Sequence, residues 1–391
     1  MESYSAESAA YLACYSSCAY LGTPGAFPDG KFPPPPWTLP AETAQRELAL
    51  NAAGWRLQKN YEGWQPPLYY CLEGIWWRLG QWLAFKNGRL LYWLRFLDIL
   101  IVVGVVWLGY TAARMVFPEN LFPRIGVPAM LTFLPQSAFY SIETDALSPL
   151  CFGLLFICLL FWMRREVPDA WLGIITGLAF AATELTKLTN LGILMVASVV
   201  IVLKLRQLFA TRQLRAARPG LIGFGLSAAI PIGAWAAWCK YFYGDFTGGK
   251  MQIEYFGWTH KPFLQWWDHP IFTPRGFWTF FSELITRFWS GEFLWHHKTM
   301  APPALNAFYL AITIAFAASA VIAIIPGFSQ IAQPQRRALY LSLASFAGAV
   351  AFCGFLSIIY DFHDYVGPSR AHPYFSFGRH LLGALVPFML L

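Results

Sequence analysis

LTNLGILMVASVVIVLKLRQLFATRQLRAARPG, residues 188–220, sets an apolar run directly against the densest basic run of the chain. Within residues 188–205 the only charged side chain is Lys204, and about 20 apolar residues suffice to cross a bilayer as a helix. Basic residues favour the cytoplasmic ends of such helices, so 204–220 is expected inside and Leu188 outside.

The same pattern recurs across the chain. Only 13% of the 391 residues are charged and 57% are hydrophobic, against about a quarter charged and just under half apolar in an average soluble domain. Apolar runs predict spans at roughly 90–113, 121–140, 146–163, 169–186, 188–205, 220–242, 303–326 and 338–360, with a last one starting near Phe377. The short alternating segments of a β-barrel are absent. The formal charge of +7 is spread in short clusters between the runs rather than over one soluble face, which argues against a nucleic-acid partner. Seven cysteines, mostly within apolar runs, give no disulfide framework.

Counting outward from 204–220 places Arg164-Arg165, Arg114 with Arg124, and Arg336-Arg337 on the same cytoplasmic side. LYYCLEGIWWRLGQWLAF, residues 68–85, reads as an interfacial helix because Glu73, Arg78 and its Trp and Tyr rings suit a membrane surface better than its interior. The expected organisation is an extracytoplasmic first loop with that helix (1–89), a transmembrane core (90–242), a long extracytoplasmic loop (243–302) and C-terminal transmembrane helices (303–391). Residues 1–89, 141–147 and 243–302 then face one side, where they are expected to build a single site. Both ends read as truncated: residues 1–67 lack a preceding span or signal sequence, and LLGALVPFMLL after Arg379-His380 is about half a crossing.

Several residues in these segments carry possible chemistry. In NYEGWQPPLYY (60–70), Pro66 and Pro67 stiffen the backbone between Glu62 and the interfacial helix, and Tyr69 and Tyr70 prefer the membrane boundary; a plain surface acid before a proline-capped helix is the alternative. In SIETDAL (141–147), Asp145 sits in a turn between spans, where the alternative is an N-cap worth about 1 kcal/mol. Glu184 and Lys187 interrupt an apolar hairpin at i, i+3, a spacing that allows them to pair, while Lys187 can instead reach the interface on its own. Arg379 and His380 open the last span, where Arg can grip a phosphate or simply anchor the helix end. The long loop holds Trp258, Trp266, Trp267, Trp278, Trp289 and Trp295, which read as an interfacial belt or as sugar-stacking faces. Its His260, His269, His296 and His297 lack the regular spacing of metal ligands. Carboxylates with cations at one face fit glycosyl transfer, a base deprotonating an acceptor hydroxyl while cations stabilise a departing phosphate.

EGWQPPLYY resembles the E-x-H-Q-P-P-L-Y-Y segment of multi-span GT-C glycosyltransferases, in the bacterial branch near the protein O-mannosyltransferases and lipid A aminoarabinose transferases. LPQSAFYSIETDAL is similar to that group's acid-bearing turn, GLAFAATELTKLTNLG to its G-L-A-x-x-T-K-x-T hairpin, and FGRHLLGALVP to its G-R-Y-x-x-P-A-L-P segment. The resemblance implies an all-α, polytopic transmembrane helical bundle of GT-C type in the bacterial cytoplasmic membrane. It implies sugar transfer from a polyprenyl-phosphate donor to a glycan, lipid or protein acceptor on the extracytoplasmic face. Glu62 and Asp145 would be catalytic, with Glu2 the second member of the family's first-loop acidic pair; Lys187, Arg379, Gln65 and Tyr69 would bind substrate. Trp64 departs from the family's His, and the first member of the acidic pair does not precede Glu2. No metal site is assigned, and a divalent cation stays open as a cofactor. The alternative class is a transporter or a non-catalytic lipid-binding membrane protein.

Overall fold

The computed structural model describes residues 3–14, 34, 36–58, 60–86, 88–134, 137–292, 294–295, 298–299, 301–325, 331–364 and 367–391. The helices in chain order are α1 (Ala6–Ala13), α2 (Ala41–Leu57), α3 (Leu68–Trp82), α4 (Gly88–Leu94), α5 (Phe96–Val116), α6 (Leu121–Thr132), α7 (Ser148–Arg164), α8 (Ala170–Thr186), α9 (Leu191–Ala210), α10 (Leu214–Tyr243), α11 (Gly249–Phe256), α12 (Pro274–Ser290), α13 (Pro303–Ile324), α14 (Gln333–Ile359) and α15 (Leu385–Phe388). Short strand pairs join β1 (Thr259–His260) to β4 (Tyr360–Asp361) and β2 (Leu294–Trp295) to β3 (Lys298–Thr299), both antiparallel. The protein is an all-α membrane protein. Among the described residues, six helical stretches are long and apolar enough to cross a bilayer: 88–116, 144–164, 188–210, 214–243, 303–324 and 333–359.

The chain forms two compact units: Met1–Trp64 with Tyr70–Leu97 and Leu294–Met300, and Gln65–Tyr69 with Asp98–Phe293 and Ala301–Leu391. In the first, α3 is amphipathic and about 22 Å long, short of a crossing. It turns through Ala84, at a positive φ of 63°, into α4. Trp76 and Trp93 lock the two helices together: their rings stack 4.5 Å apart, and each indole N–H donates to the other residue's carbonyl, at 3.0 and 2.9 Å.

In the second unit α7 is the central helix, 78% of its spanning window being buried, whereas α10 and α13 are buried for only 11% and 17% and form the lipid-facing periphery. Helices α8 and α10 run parallel in close contact, because a Cβ on Gly173 would strike the backbone of Gly220 and one on Gly177 would meet the carbonyl oxygen of Phe224 at 2.5 Å. Membrane helices lack a hydrophobic drive to associate, and small residues that let backbones approach supply packing instead.

Helices α5 and α7 are also parallel: Gly104 faces Leu150, Leu108 faces Gly153, and Arg164 donates to the carbonyl of Met115 at 2.5 Å. The chain between them must therefore return the length of the bundle. The sequence predicts one helix over 121–140; the helix stops at Thr132. Pro135 is the reason legible in the chain, since it carries no N–H and disfavours helical dihedrals at Leu134. Helix α6 lies along α5, with Val127 and Leu131 beside Gly109, and a 3-10 turn, Ser137–Tyr140, follows. Leu134 and Ala138 are buried, as irregular backbone at membrane depth requires.

The predicted last span also differs. From Gly378 the chain forms a 3-10 helix to Ala384 and then α15, all buried except Arg379. Two of the basic connectors meet at one end: Lys204 donates to the carbonyl of Arg165 at 2.6 Å, at the same end as the Arg164–Met115 contact.

Candidate functional site

At the opposite end of the bundle, four separate segments converge. The first is the turn 143–147. Residues Thr144–Ala146 form a 3-10 turn whose side chains are buried, with Asp145 only 3% exposed. The N-cap position of α7 is Leu147, and no side chain caps the helix. Asp145 is thus not the cap its position allows.

Its carboxylate turns instead to the second segment, between α8 and α9. Helix α8 ends at Thr186, and Lys187 adopts an extended conformation before a 3-10 turn over Leu188–Asn190. Lys187 leaves the helix, and the pairing with Glu184 that their spacing allows does not form. Lys187 Nζ lies 2.5 Å from Asp145 Oδ2. Asn190 fastens the turn, donating to Ser148 Oγ at 3.1 Å and to the carbonyl of Thr183 at 2.9 Å.

The third segment carries Arg379 and His380. It enters the site because glycine permits two close approaches: a Cβ on Gly378 would collide with the backbone of Arg287 and Phe288, and one on Gly383 would meet Asn190 Oδ1 at 2.6 Å. Arg379 Nε is 3.7 Å from Asp145 Oδ2, and Nη1 is 3.8 Å from Glu143 Oε2. The guanidinium also lies over the ring of Phe377, 5.4 Å from its centroid. The His380 ring stacks on Phe375 at 4.9 Å, and its Nδ1 is 3.8 Å from Asp145 Oδ1.

The fourth segment is one the sequence reading missed. Gly291, at φ 69°, ends α12 and delivers Glu292, whose Oε2 is 3.3 Å from Arg379 Nη1. Its backbone N–H donates to Ser137 Oγ at 3.0 Å, so α12 is tied to the turn that follows α6. Local pattern gives no signal for Glu292, because its partners are 155 residues away at Ser137 and beyond Gly378 on the other side.

Arg379 is therefore bordered by Glu143, Asp145 and Glu292, and none of these three contacts has the roughly 2.8 Å length of a bidentate fork. Its side chain keeps 33% of its surface accessible, against 11% for Lys187. Burial raises the Glu143 carboxyl above the usual carboxylate range, and Arg379 opposes that shift.

Of the residues singled out in the sequence, Asp145, Lys187 and Arg379 are thus brought together. Tyr69 is fully buried and Gln65 half-buried, in the same compact unit. Tyr69 is therefore a core ring rather than a boundary one. Glu62 lies in a 3-10 turn, Tyr61–Trp64, of the other unit; its side chain is outside the described residues, as are Glu2, His296, His297 and the side chain of Trp295. Among the described residues no group of three or more His, Cys, Asp or Glu is arranged to hold a metal ion. Compared with known proteins, the chain matches no family model, no curated protein and no solved structure.

Proposed function

We propose that the protein is a membrane glycosyltransferase of GT-C type that takes its sugar from a polyprenyl-phosphate donor. The observation that carries this reading is the meeting of Lys187 and Arg379 beside Glu143, Asp145 and Glu292 at one end of the bundle. Arg379 is the residue for the donor phosphate: it is partly accessible, and its carboxylate contacts are long enough for a phosphate to replace them with shorter, forked bonds. Lys187, committed to Asp145, supplies fixed positive charge nearby for the leaving phosphate. Glu143 is the general-base candidate on this side, because a carboxyl raised by burial is a better proton acceptor than an ion-paired one.

A second feature supports a lipid-borne donor. An apolar groove of 310 Å³ lies between α8, α9 and α10, lined among others by Phe180, Ile201, Phe224 and Ile232. Phe180 is two helical turns, about 10 Å, from Lys187 along α8. A groove of this kind suits the hydrocarbon chain of such a donor. The same groove also favours the second reading, a protein that binds or moves an anionic lipid without chemistry.

The test is release of polyprenyl phosphate from polyprenyl-phosphate hexose by the full chain in proteoliposomes, with an acceptor extract present. Transfer that is lost in Arg379→Gln, and not restored by Arg379→Lys, supports the enzyme. Movement of intact donor between leaflets with no release of polyprenyl phosphate supports the alternative and sinks the transferase.

A further inference from the structure

The segment Phe263–Phe272 lies at the site end of α14. Its entry is fixed by strand pairing, His260 against Tyr360, and by the Lys261 N–H donating to the carbonyl of Ile359 at 2.8 Å. From there the chain runs back along α14, for Trp266 packs edge-on against Phe355 at 5.8 Å. Phe355 is four residues inside the end of that spanning helix, about 6 Å below Ile359. It is 43% exposed on a helix whose exposed face meets lipid. The 3-10 helix Phe263–Asp268 is therefore level with the last turns of α14 and not beyond its end.

A 3-10 helix repeats every three residues, which sorts this one into three rows. Trp266 touches the protein at Phe355, while Phe263, in the same row, is 62% exposed and packs on Trp266 and Trp267. Leu264 and Trp267 form a second row, 81% and 64% exposed and without a polar side chain. Gln265 and Asp268 form the third and carry its polarity. Phe272, 52% exposed, extends the apolar row by packing on Trp267 at 5.6 Å.

The wedge is rigid. His269 joins it to the C-terminal segment, its Nε2 bonding to the carbonyl of Pro373 at 3.0 Å while its Nδ1 accepts from the Ile271 N–H at 3.1 Å. Gly276 lets α12 pass against Pro270, where a Cβ would also meet the Tyr374 hydroxyl at 2.9 Å.

We infer that Leu264, Trp267 and Phe272 form a preformed foot that inserts into the lipid leaflet at the site end of the bundle. The partner is the boundary between headgroups and acyl chains, where tryptophan is favoured and an amphipathic turn can keep Gln265 and Asp268 wet. Continuity with the lipid-facing surface of α14 through Phe355 selects the bilayer over a protein partner. Because the foot is tied through His269 to the segment that ends in Arg379, it also sets the depth of the candidate site relative to the lipid.

The experiment places the photoreactive residue p-benzoylphenylalanine, one position at a time, at Leu264, Trp267, Gln265 and Asp268 of the full chain. The protein is reconstituted in phosphatidylcholine liposomes with tritiated acyl chains. Val199, 56% exposed in the middle of α9, serves as the lipid-facing control. Leu264 and Trp267 should capture labelled lipid to the extent Val199 does, and several-fold more than Gln265 and Asp268. The inference is overturned if Val199 labels while Leu264 and Trp267 match the polar positions. It is equally overturned if those positions yield a covalent dimer in place of a lipid adduct.

Discussion

Lys187 Nζ and Asp145 Oδ2 meet at 2.5 Å across 42 residues of sequence, with 11% and 4% of their side chains exposed. Removing one partner strands the other's charge in a buried site, at a cost of about 3–5 kcal/mol, whereas removing both is far less costly. Asp145→Asn and Lys187→Met are each expected to lower the unfolding temperature in detergent sharply. The double variant should recover much of the loss. Strictly additive losses would show that the pair does not act as a unit.

Under the proposed function, Glu292 and a lipid phosphate would compete for the same guanidinium. Glu292→Gln removes the competing charge while keeping the backbone bond to Ser137. Under the proposed function, it should bind polyprenyl phosphate several-fold more tightly than the native chain, measured by equilibrium binding in nanodiscs. Weaker binding would mean that Glu292 helps to hold Arg379 in place and does not compete for it.

His269 is buried, with its Nδ1 accepting a backbone N–H and its Nε2 bonded to a carbonyl, so the neutral ring fits and the protonated one does not. Burial pushes its pKa down to about 4, and Lys261 adds to the shift. The unfolded chain takes up the proton near pH 6.5 and the folded one only near pH 4. Stability should therefore fall as pH drops through that window, by roughly 3 kcal/mol at most, and level off below it. Melting curves of the native protein and His269→Gln between pH 8 and pH 4 test this. The variant should lose the corresponding part of the slope.

Gly177→Leu should prevent α8 and α10 from packing, because the obstruction is backbone that cannot move aside. Gly233→Ala, on the same α10 but with open space at its Cβ, should be tolerated. Size-exclusion profiles in mild detergent separate the outcomes: aggregation for the first and a native peak for the second.

The Trp76–Trp93 pair is worth two hydrogen bonds, about 1 kcal/mol each net of water, besides its stacked rings. Trp76→Phe should keep most of the packing and lose one donor, raising protease cleavage between α3 and α4 modestly. Trp76→Ala should raise it much more.

Hydropathy made the spans legible because a bilayer imposes both length and composition on a helix, and positive charge made their alternation legible. The failure at 121–140 is equally physical: Pro135 was visible, but the shielding that tolerates broken helix at that depth comes from distant residues. Asp145, Lys187 and Arg379 stood out as charges in apolar surroundings. Glu292 did not, since its partners Ser137 and Arg379 are far from it in sequence. The pairing of Lys187 with Asp145 in place of Glu184 was also hidden, because spacing along a helix predicts partners only while the helix continues.

The parallel contact between α8 and α10 bears on how the protein is made. Two parallel membrane helices cannot be neighbours in sequence: α9 must cross back between them. A ribosome delivers the chain from its N-terminus, so the glycine face of α8 enters the membrane well before Gly220 and Phe224 exist to cover it. Until they emerge, that face has only lipid or the insertion machinery against it. The assembly order of this bundle is thus set by its topology, and a nascent chain stalled inside α9 is the stage at which α8 stands uncovered.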